Sequence, residues 1–174
     1  EVVVSDGEMA ELSSFWDYAG FYDGEVVDAS RPLEIKGPVV KTALSSSVSL
    51  EPTLCKVEYH ETLKPMEVIK RKDSVILDFG QNHGGVPVIN TSFMEKGSTV
   101  KVRSAEILDK NGDLYRGNLR KAKSTILYTK GDYEGEYIPP FTYMGYRYLE
   151  ISGVDYREGM ISSKALYTSM ERTG

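Results

Sequence analysis

The feature of this sequence that most constrains its fold is a succession of short β-forming runs separated by turns that contain glycine. Residues 99–105 alternate polar side chains with apolar or small ones, which is typical of a strand with one buried face. Turn pairs such as Asn111-Gly112 recur between the runs, and both residues of this pair tolerate the positive φ of a tight hairpin. No apolar stripe at the helical period exceeds about two turns. The pattern therefore predicts an all-β fold, with antiparallel strands arranged as a sandwich or barrel.

Alternation also predicts which side chains of one central run are buried. Leu77 and Phe79 share one face of their strand, Ile76 points to the other face, and we expect all three to be buried. Pro87 follows in another β-rich run. Because proline has no N–H to donate to a ladder, we expect Pro87 on an edge strand or at a bulge.

The run over residues 146–151 is the second strand with a specific prediction. Strict alternation places Leu149 and Ile151 on one face and Tyr146 on the other. Polar and apolar residues are mixed on both faces, so we expect neighbours on both sides of this strand. Leu149 and Ile151 are expected to be buried.

The composition is that of a globular protein rather than a disordered chain. The 174 residues are 40% hydrophobic and 27% charged, and a chain of this length can bury a core without cross-links. The net charge of −5 argues against a nucleic-acid partner, and no apolar stretch approaches the length of a membrane span. The single cysteine, Cys55, excludes an intramolecular disulfide and leaves the compartment open.

Six motifs in this order resemble the β-sandwich region that precedes the catalytic barrel of bacterial α-L-rhamnosidases. They lie at residues 22–29 (YDGEVVDA), 78–82 (DFGQN), 105–108 (AEIL), 112–115 (GDLY), 118–122 (NLRKA) and 140–153 (PFTYMGYRYLEISG). The resemblance implies a jelly-roll, concanavalin-like or galactose-binding-like antiparallel sandwich. It also implies a division near Pro52, with residues 1–52 closing an N-terminal β domain and residues 53–174 forming a concanavalin-like domain. Residues 168–174 resemble the linker to the barrel.

The resemblance implies a function for the parent protein, the hydrolysis of terminal α-L-rhamnose from glycosides. In that family the catalytic acid and base lie in the barrel. This sequence ends before any residue that matches them. We therefore expect a non-catalytic accessory domain, without cofactor, whose main partner is the catalytic barrel of the same polypeptide. A carbohydrate-binding module that recognises rhamnose-containing glycans is the alternative, and an independent adhesion sandwich is a third.

Six residues are candidates for carbohydrate binding, because planar polar groups bind hydroxyls and flat aromatic rings stack on sugars. They are Trp16, Asp78, Gln81, Asn82, Tyr143 and Tyr146. Each has a structural alternative. Polar residues of this type mark turns more often than sites, and aromatic residues on strands more often pack in the core.

A second candidate site is the polar, basic segment of residues 113–123. A free loop has little reason to contain apolar side chains, so we expect Tyr115, Leu119 and Arg120 to dock on the neighbouring barrel.

No metal site is expected. The nearby run from Asp109 to Asp113 places oxygen ligands at alternate positions, as a calcium loop does, but it lacks the further acidic ligand in register.

Overall fold

The computed structural model describes residues 10–12, 14–38, 47, 49, 51–52 and 55–170. These ranges contain twelve β-strands, two single-turn 3₁₀ helices and no α-helix. They accordingly include no helix with the length and hydropathy that a membrane crossing requires. The all-β prediction is confirmed.

The strands follow one another at short intervals, as the turn pattern predicts. They are β1 (Ala10–Leu12), β2 (Trp16–Gly20), β3 (Gly24–Asp28), β4 (Ile35–Pro38), β5 (Lys56–Leu63), β6 (Glu67–Lys70), β7 (Ser74–Asn90), β8 (Thr99–Ala105), β9 (Thr125–Thr129), β10 (Glu136–Tyr137), β11 (Met144–Ser152) and β12 (Ile161–Ser169). The 3₁₀ helices lie at Thr91–Phe93 and Gly117–Leu119.

Ten of the strands form one curled sheet. Its order is β2-β3-β9-β8-β11-β7-β12-β5, and β6 and β10 also pair with β7. Strands β1 and β4 form a separate pair. The ladders are antiparallel, as predicted, except that β3 runs parallel to β9, which makes the sheet mixed.

Strand β7 organises the sheet because it is 17 residues long and pairs with four strands. Along one edge it pairs with β11. Along the other edge, β6 pairs with its first half and β12 with its second half. The DFGQN motif lies between the two halves. Between the Asp78–Tyr148 pair and the His83–Tyr146 pair, β7 spans five residues while β11 spans two. The extra residues of β7 make the motif a large bulge.

The buried core contains the residues that alternation predicted. Leu77, Phe79, Leu149 and Ile151 belong to one apolar cluster, and Ile76 is buried outside that cluster. The prediction of five buried side chains is confirmed.

Two details of the strand predictions are corrected. Tyr146 lies in the same cluster as Leu149, because the ladder register shifts between Tyr146 and Tyr148 and the alternation changes phase there. Pro87 lies within the central strand β7, opposite Ser163 of β12, and not on an edge. On the other side of β7, the ladder with β11 ends at Gly85 and the ladder with β10 begins at Ile89, so Pro87 has no ladder partner there. A residue without an N–H therefore breaks no ladder bond on that side.

The predicted domain division near residue 52 stays a prediction. Strands β2 and β3 precede it, and they join the same sheet as the later strands through the β3–β9 ladder. Part of the predicted linker, residues 171–174, lies outside the described residues.

Candidate functional site

The carboxylate of Asp78 is engaged inside the protein. Its Oδ1 accepts hydrogen bonds from Gly80 N and Arg147 Nε, both at 2.7 Å, and its Oδ2 accepts from Arg147 Nη2 at 2.7 Å. The bonded Arg147 guanidinium holds the pKa of Asp78 below its usual range. Asp78 is buried, so it fixes the start of the bulge and offers little to a sugar. Gln81 and Asn82 are exposed on the bulge.

Tyr146 is a core residue, which corrects its proposed place in a carbohydrate site. Its ring is fully buried, and its hydroxyl lies 2.5 Å from Ser163 Oγ. His83 Nε2 lies 2.7 Å from the same Ser163 oxygen. Burial raises the pKa of Tyr146 and lowers the pKa of His83. Tyr146 and Ser163 are buried and His83 is half-buried, and their polar groups bind one another within the protein.

The partial burial of His83 predicts a pH dependence of stability. The folded state favours neutral His83, so its pKa lies below the ordinary value of 6.5 and the unfolded chain takes up the proton first. The free energy of unfolding should therefore decrease as pH falls below about 6.5. Urea unfolding at pH 7.5 and 5.5 measures this decrease. His83→Gln keeps a polar partner for Ser163 and should make the loss of unfolding free energy between pH 7.5 and 5.5 smaller. If the variant loses as much stability as the wild type, other groups cause the pH dependence.

Trp16 is tied to a buried carboxylate that the sequence analysis did not identify. Its indole Nε1 donates to Glu25 Oε2 at 3.0 Å. Glu25 is 0% exposed, and it also accepts from Phe141 N at 2.7 Å and from the Tyr137 hydroxyl. Burial, followed by the bond to Glu25, raises the pKa of Tyr137. The Trp16 ring meets the Phe141 ring edge to face at 5.4 Å. Glu25 on β3 thus links β2 to the segment before β11, and the Trp16 N–H that it accepts is not available to a ligand.

An exposed aromatic cluster lies beside this anchor. It consists of Phe21, Tyr22 and Tyr143, whose exposed fractions are 50%, 73% and 45%. The Phe21 ring centroid lies 5.1 Å from that of Tyr22 and 4.9 Å from that of Tyr143, with interplanar angles of 89° and 88°. Thr142 Oγ1 donates to the Phe21 carbonyl at 2.8 Å, which ties the two segments together. Among the six carbohydrate candidates, Tyr143 is the aromatic residue that this cluster exposes.

The segment of residues 113–123 is fixed at its base. The Arg116 guanidinium donates to the carbonyls of Ser104 at 3.2 Å and Ser124 at 3.3 Å, and also to that of Lys123. Burial lowers the pKa of Arg116. The tip of the segment faces solvent: Tyr115 is 43% exposed, and Arg120 is exposed with a positive φ of 54°. Leu119 is half-buried.

Backbone contacts join the aromatic cluster to the end of this segment, and the two together are hereafter called the end surface. Asp23, which follows the cluster residue Tyr22, accepts a hydrogen bond from Lys123 N at 2.9 Å. Ser124 N donates to the Tyr22 carbonyl at 3.1 Å. The structure therefore places the C-terminal end of the segment against the aromatic cluster that contains Tyr143, whereas Asp78 and Tyr146 are buried. The Gly-Glu pair at residues 24–25 belongs to one of the six sequence motifs. Nothing in the sequence indicated which residues donate hydrogen bonds to Glu25.

Other concave or charged features lie elsewhere. A cleft of about 460 Å³ opens where β7 begins and β11 ends, and its lining includes Asp73, Phe93, Glu95, Asp155 and Arg157. None of the candidate residues lines it. Within the described ranges, no group of three or more His, Cys, Asp or Glu side chains is placed to hold a metal ion.

Comparison with known proteins identifies the family. The family described as bacterial alpha-L-rhamnosidase concanavalin-like domain matches residues 69–168. An alpha-L-rhamnosidase of Formosa agariphila is 34% identical over an alignment that covers 89% of this chain and 19% of that protein. An alpha-L-rhamnosidase of an Alteromonas species is 35% identical over 167 residues, which cover 88% of this chain and 18% of that protein.

A solved structure shows the same fold. The alpha-L-rhamnosidase from Dictyoglumus thermophilum superposes with a TM-score of 0.71 and 29% sequence identity, over 90% of this chain and 19% of that one. The chain spans about a fifth of the length of these two curated relatives.

Proposed function

Because this chain belongs to the concanavalin-like domain family of bacterial α-L-rhamnosidases, we propose that it is a non-catalytic domain that supports a catalytic barrel. The proposed parent is a glycoside hydrolase that releases terminal α-L-rhamnose. The relatives are named alpha-L-rhamnosidases, and about four-fifths of their length lies outside the matched region. That remainder has room for a catalytic domain in the same polypeptide.

The state of the buried carboxylates supports a non-catalytic role. Glycoside hydrolysis uses two carboxyl groups about 5–9.5 Å apart, of which one donates a proton to the leaving oxygen. Glu25 and Asp78 are the buried carboxylates of the described residues. Each accepts three hydrogen bonds from protein donors. Neither is available for proton transfer to a substrate.

The observation that carries the docking proposal is the end surface. Its exposed aromatic rings and Arg120 are residue types that dominate binding energy at protein interfaces. Hydrogen bonds of Arg116 and Asp23 already fix the backbone at the base of residues 113–123. Docking therefore has a small entropy cost, because few further groups become ordered. Exposed basic side chains at Lys121 and Lys123 form a polar rim.

In the intact enzyme, combining Leu119→Ala with Arg120→Ala should weaken this docking and lower the melting temperature by about 2–5 °C. Scanning calorimetry of the intact protein measures the change. Arg120→Glu alone should also lower the melting temperature, although it leaves the apolar side chain of Leu119 in place.

A matched control combines Leu33→Ala with Lys72→Ala, which removes one exposed leucine and one exposed cation outside the end surface. This control should leave the melting temperature unchanged. If the docking variants retain wild-type melting temperature and activity, the docking role is wrong.

Carbohydrate binding is a second candidate, favoured by the exposed rings of Phe21, Tyr22 and Tyr143. The Phe21 ring meets each of the other two rings at nearly a right angle, so Phe21 shares no flat face with either for a sugar to cover. Edge-to-face contacts of this kind are equally suited to packing against protein side chains. Docking is therefore the better supported function, and calorimetric titration with L-rhamnose distinguishes the two.

A further inference from the structure

The Asn-Gly turn of residues 111–112 presents an asparagine to solvent. It closes a tight hairpin whose flanks pair antiparallel at Leu108 and Leu114. Asn111 is exposed, and it is the one asparagine of the sequence that a glycine follows. Its hydrogen bond within the turn is made by the backbone N–H, which donates to Asp109 Oδ1 at 2.8 Å. The side-chain amide of Asn111 therefore takes no part in holding the turn closed by this bond.

The residue after Asn111 supplies a nucleophile for an intramolecular reaction of this side chain. The backbone nitrogen of Gly112 attacks the side-chain carbonyl carbon of Asn111, a five-membered imide forms, and the side-chain nitrogen leaves as ammonia with the proton of the Gly112 amide. Water then opens the imide at either carbonyl, which leaves aspartate or isoaspartate at position 111. A side chain at position 112 would shield the attacking nitrogen, and glycine has none.

Hydrogen bonds hold the attacking nitrogen inside the closed turn. Gly112 N donates to the Asp109 carbonyl at 3.0 Å. The Asp109 carboxylate fixes the same turn, because its Oδ1 accepts from Asp113 N at 3.0 Å as well as from Asn111 N. The Arg71 guanidinium donates to the Gly112 carbonyl from outside the turn. The reaction therefore requires a local opening of the turn, and the bonds to Asp109 set how often the turn opens.

We propose that Asn111 is a site of spontaneous deamidation and that the carboxylate of Asp109 controls its rate. None of residues 109–113 is buried, so the turn opens without disturbing the core. The product carries one additional negative charge between Asp109 and Asp113. Isoaspartate also adds one carbon to the backbone before Gly112, which displaces the carbonyl that Arg71 binds. This inference is independent of the proposed function, since it needs only the turn itself.

Peptide mapping by mass spectrometry tests the site on the intact protein after incubation at mildly alkaline pH. Asn82 is the internal reference, because it is also exposed but precedes His83. Deamidation at Asn111 should be at least about tenfold faster than at Asn82, since glycine leaves the attacking nitrogen unshielded. Isoaspartate among the products would confirm the imide route, because direct hydrolysis of the side chain yields aspartate alone. Equal rates at Asn111 and Asn82, or a product without isoaspartate, would overturn the proposal.

Two variants at position 109 test the control of the rate. Asp109→Ala removes both side-chain acceptor bonds and should speed deamidation of Asn111 at least about fivefold, because the turn opens more easily. Asp109→Asn keeps a side-chain oxygen as acceptor and should stay within about twofold of the wild-type rate. Each rate is divided by that of Asn82, which rises too if a variant unfolds. A ratio that Asp109→Ala leaves unchanged would show that Asp109 does not control the reaction.

Discussion

Replacing Glu25 with alanine should lower the free energy of unfolding by about 3–5 kcal/mol. Three part-buried donors lose their acceptor at about 1–3 kcal/mol each, and water that enters the site recovers part of this loss. The donors are Trp16 Nε1, Phe141 N and the Tyr137 hydroxyl. The carboxylate they share is fully buried. Urea unfolding followed by tryptophan fluorescence measures the loss, since Trp16 is the single tryptophan.

Two further variants isolate the cause. Glu25→Gln keeps one carbonyl acceptor but turns an NH₂ group toward the donors, so it should lose less stability than Glu25→Ala while remaining less stable than the wild type. Glu51→Ala removes an exposed glutamate and should change stability by less than about 0.5 kcal/mol. Equal stability of Glu25→Ala and Glu51→Ala would show that the buried carboxylate does not hold β2, β3 and the segment before β11 together.

The second large effect is expected at Gly24, where β3 joins the sheet. Its φ is +101°, and a Cβ atom at this position would overlap the carbonyl oxygen of Thr125 on β9. Gly24→Ala should lower the free energy of unfolding by about 3–4 kcal/mol. Left-handed backbone strain contributes about 1–2 kcal/mol of this loss, and overpacking contributes about 1–3 kcal/mol. The β3–β9 ladder should be lost first, which hydrogen exchange at residues 125–129 detects.

Two other glycines serve as matched controls for the two causes. Gly97 has a φ of +81°, and no heavy atom lies within 4 Å of the point where a Cβ would stand, so Gly97→Ala tests backbone strain alone. Gly37 has the same open space without the positive φ, so Gly37→Ala should be neutral or slightly stabilising. If Gly24→Ala costs no more than Gly97→Ala, close packing of β3 against β9 contributes nothing to stability.

Part of the fold and of the candidate site was predictable from local sequence. The burial of Leu77, Phe79, Leu149 and Ile151 follows from alternation, because side-chain direction in a strand is set by the backbone alone. The hairpin at Asn111-Gly112 is also local. Gly112 has a φ of +78°, and Asp109 Oδ1 accepts from Asn111 N at 2.8 Å. The order of six motifs was sufficient to indicate the family that the comparisons show.

The tertiary structure decided the features that depend on pairing between distant segments. The position of Tyr146 followed from the bulge in β7, which no pattern within β11 reveals. Glu25 became a buried acceptor because residues more than one hundred positions away, Tyr137 and Phe141, supply two of its donors. The end surface arises in the same way, from Phe21, Tyr143 and residues 113–123. The sequence by itself determined that short strands alternate with turns and, away from the bulge, which side chains face inward, because those properties are local. Only the tertiary structure decided which side chains share a surface, because register and long-range contacts are properties of the whole sheet.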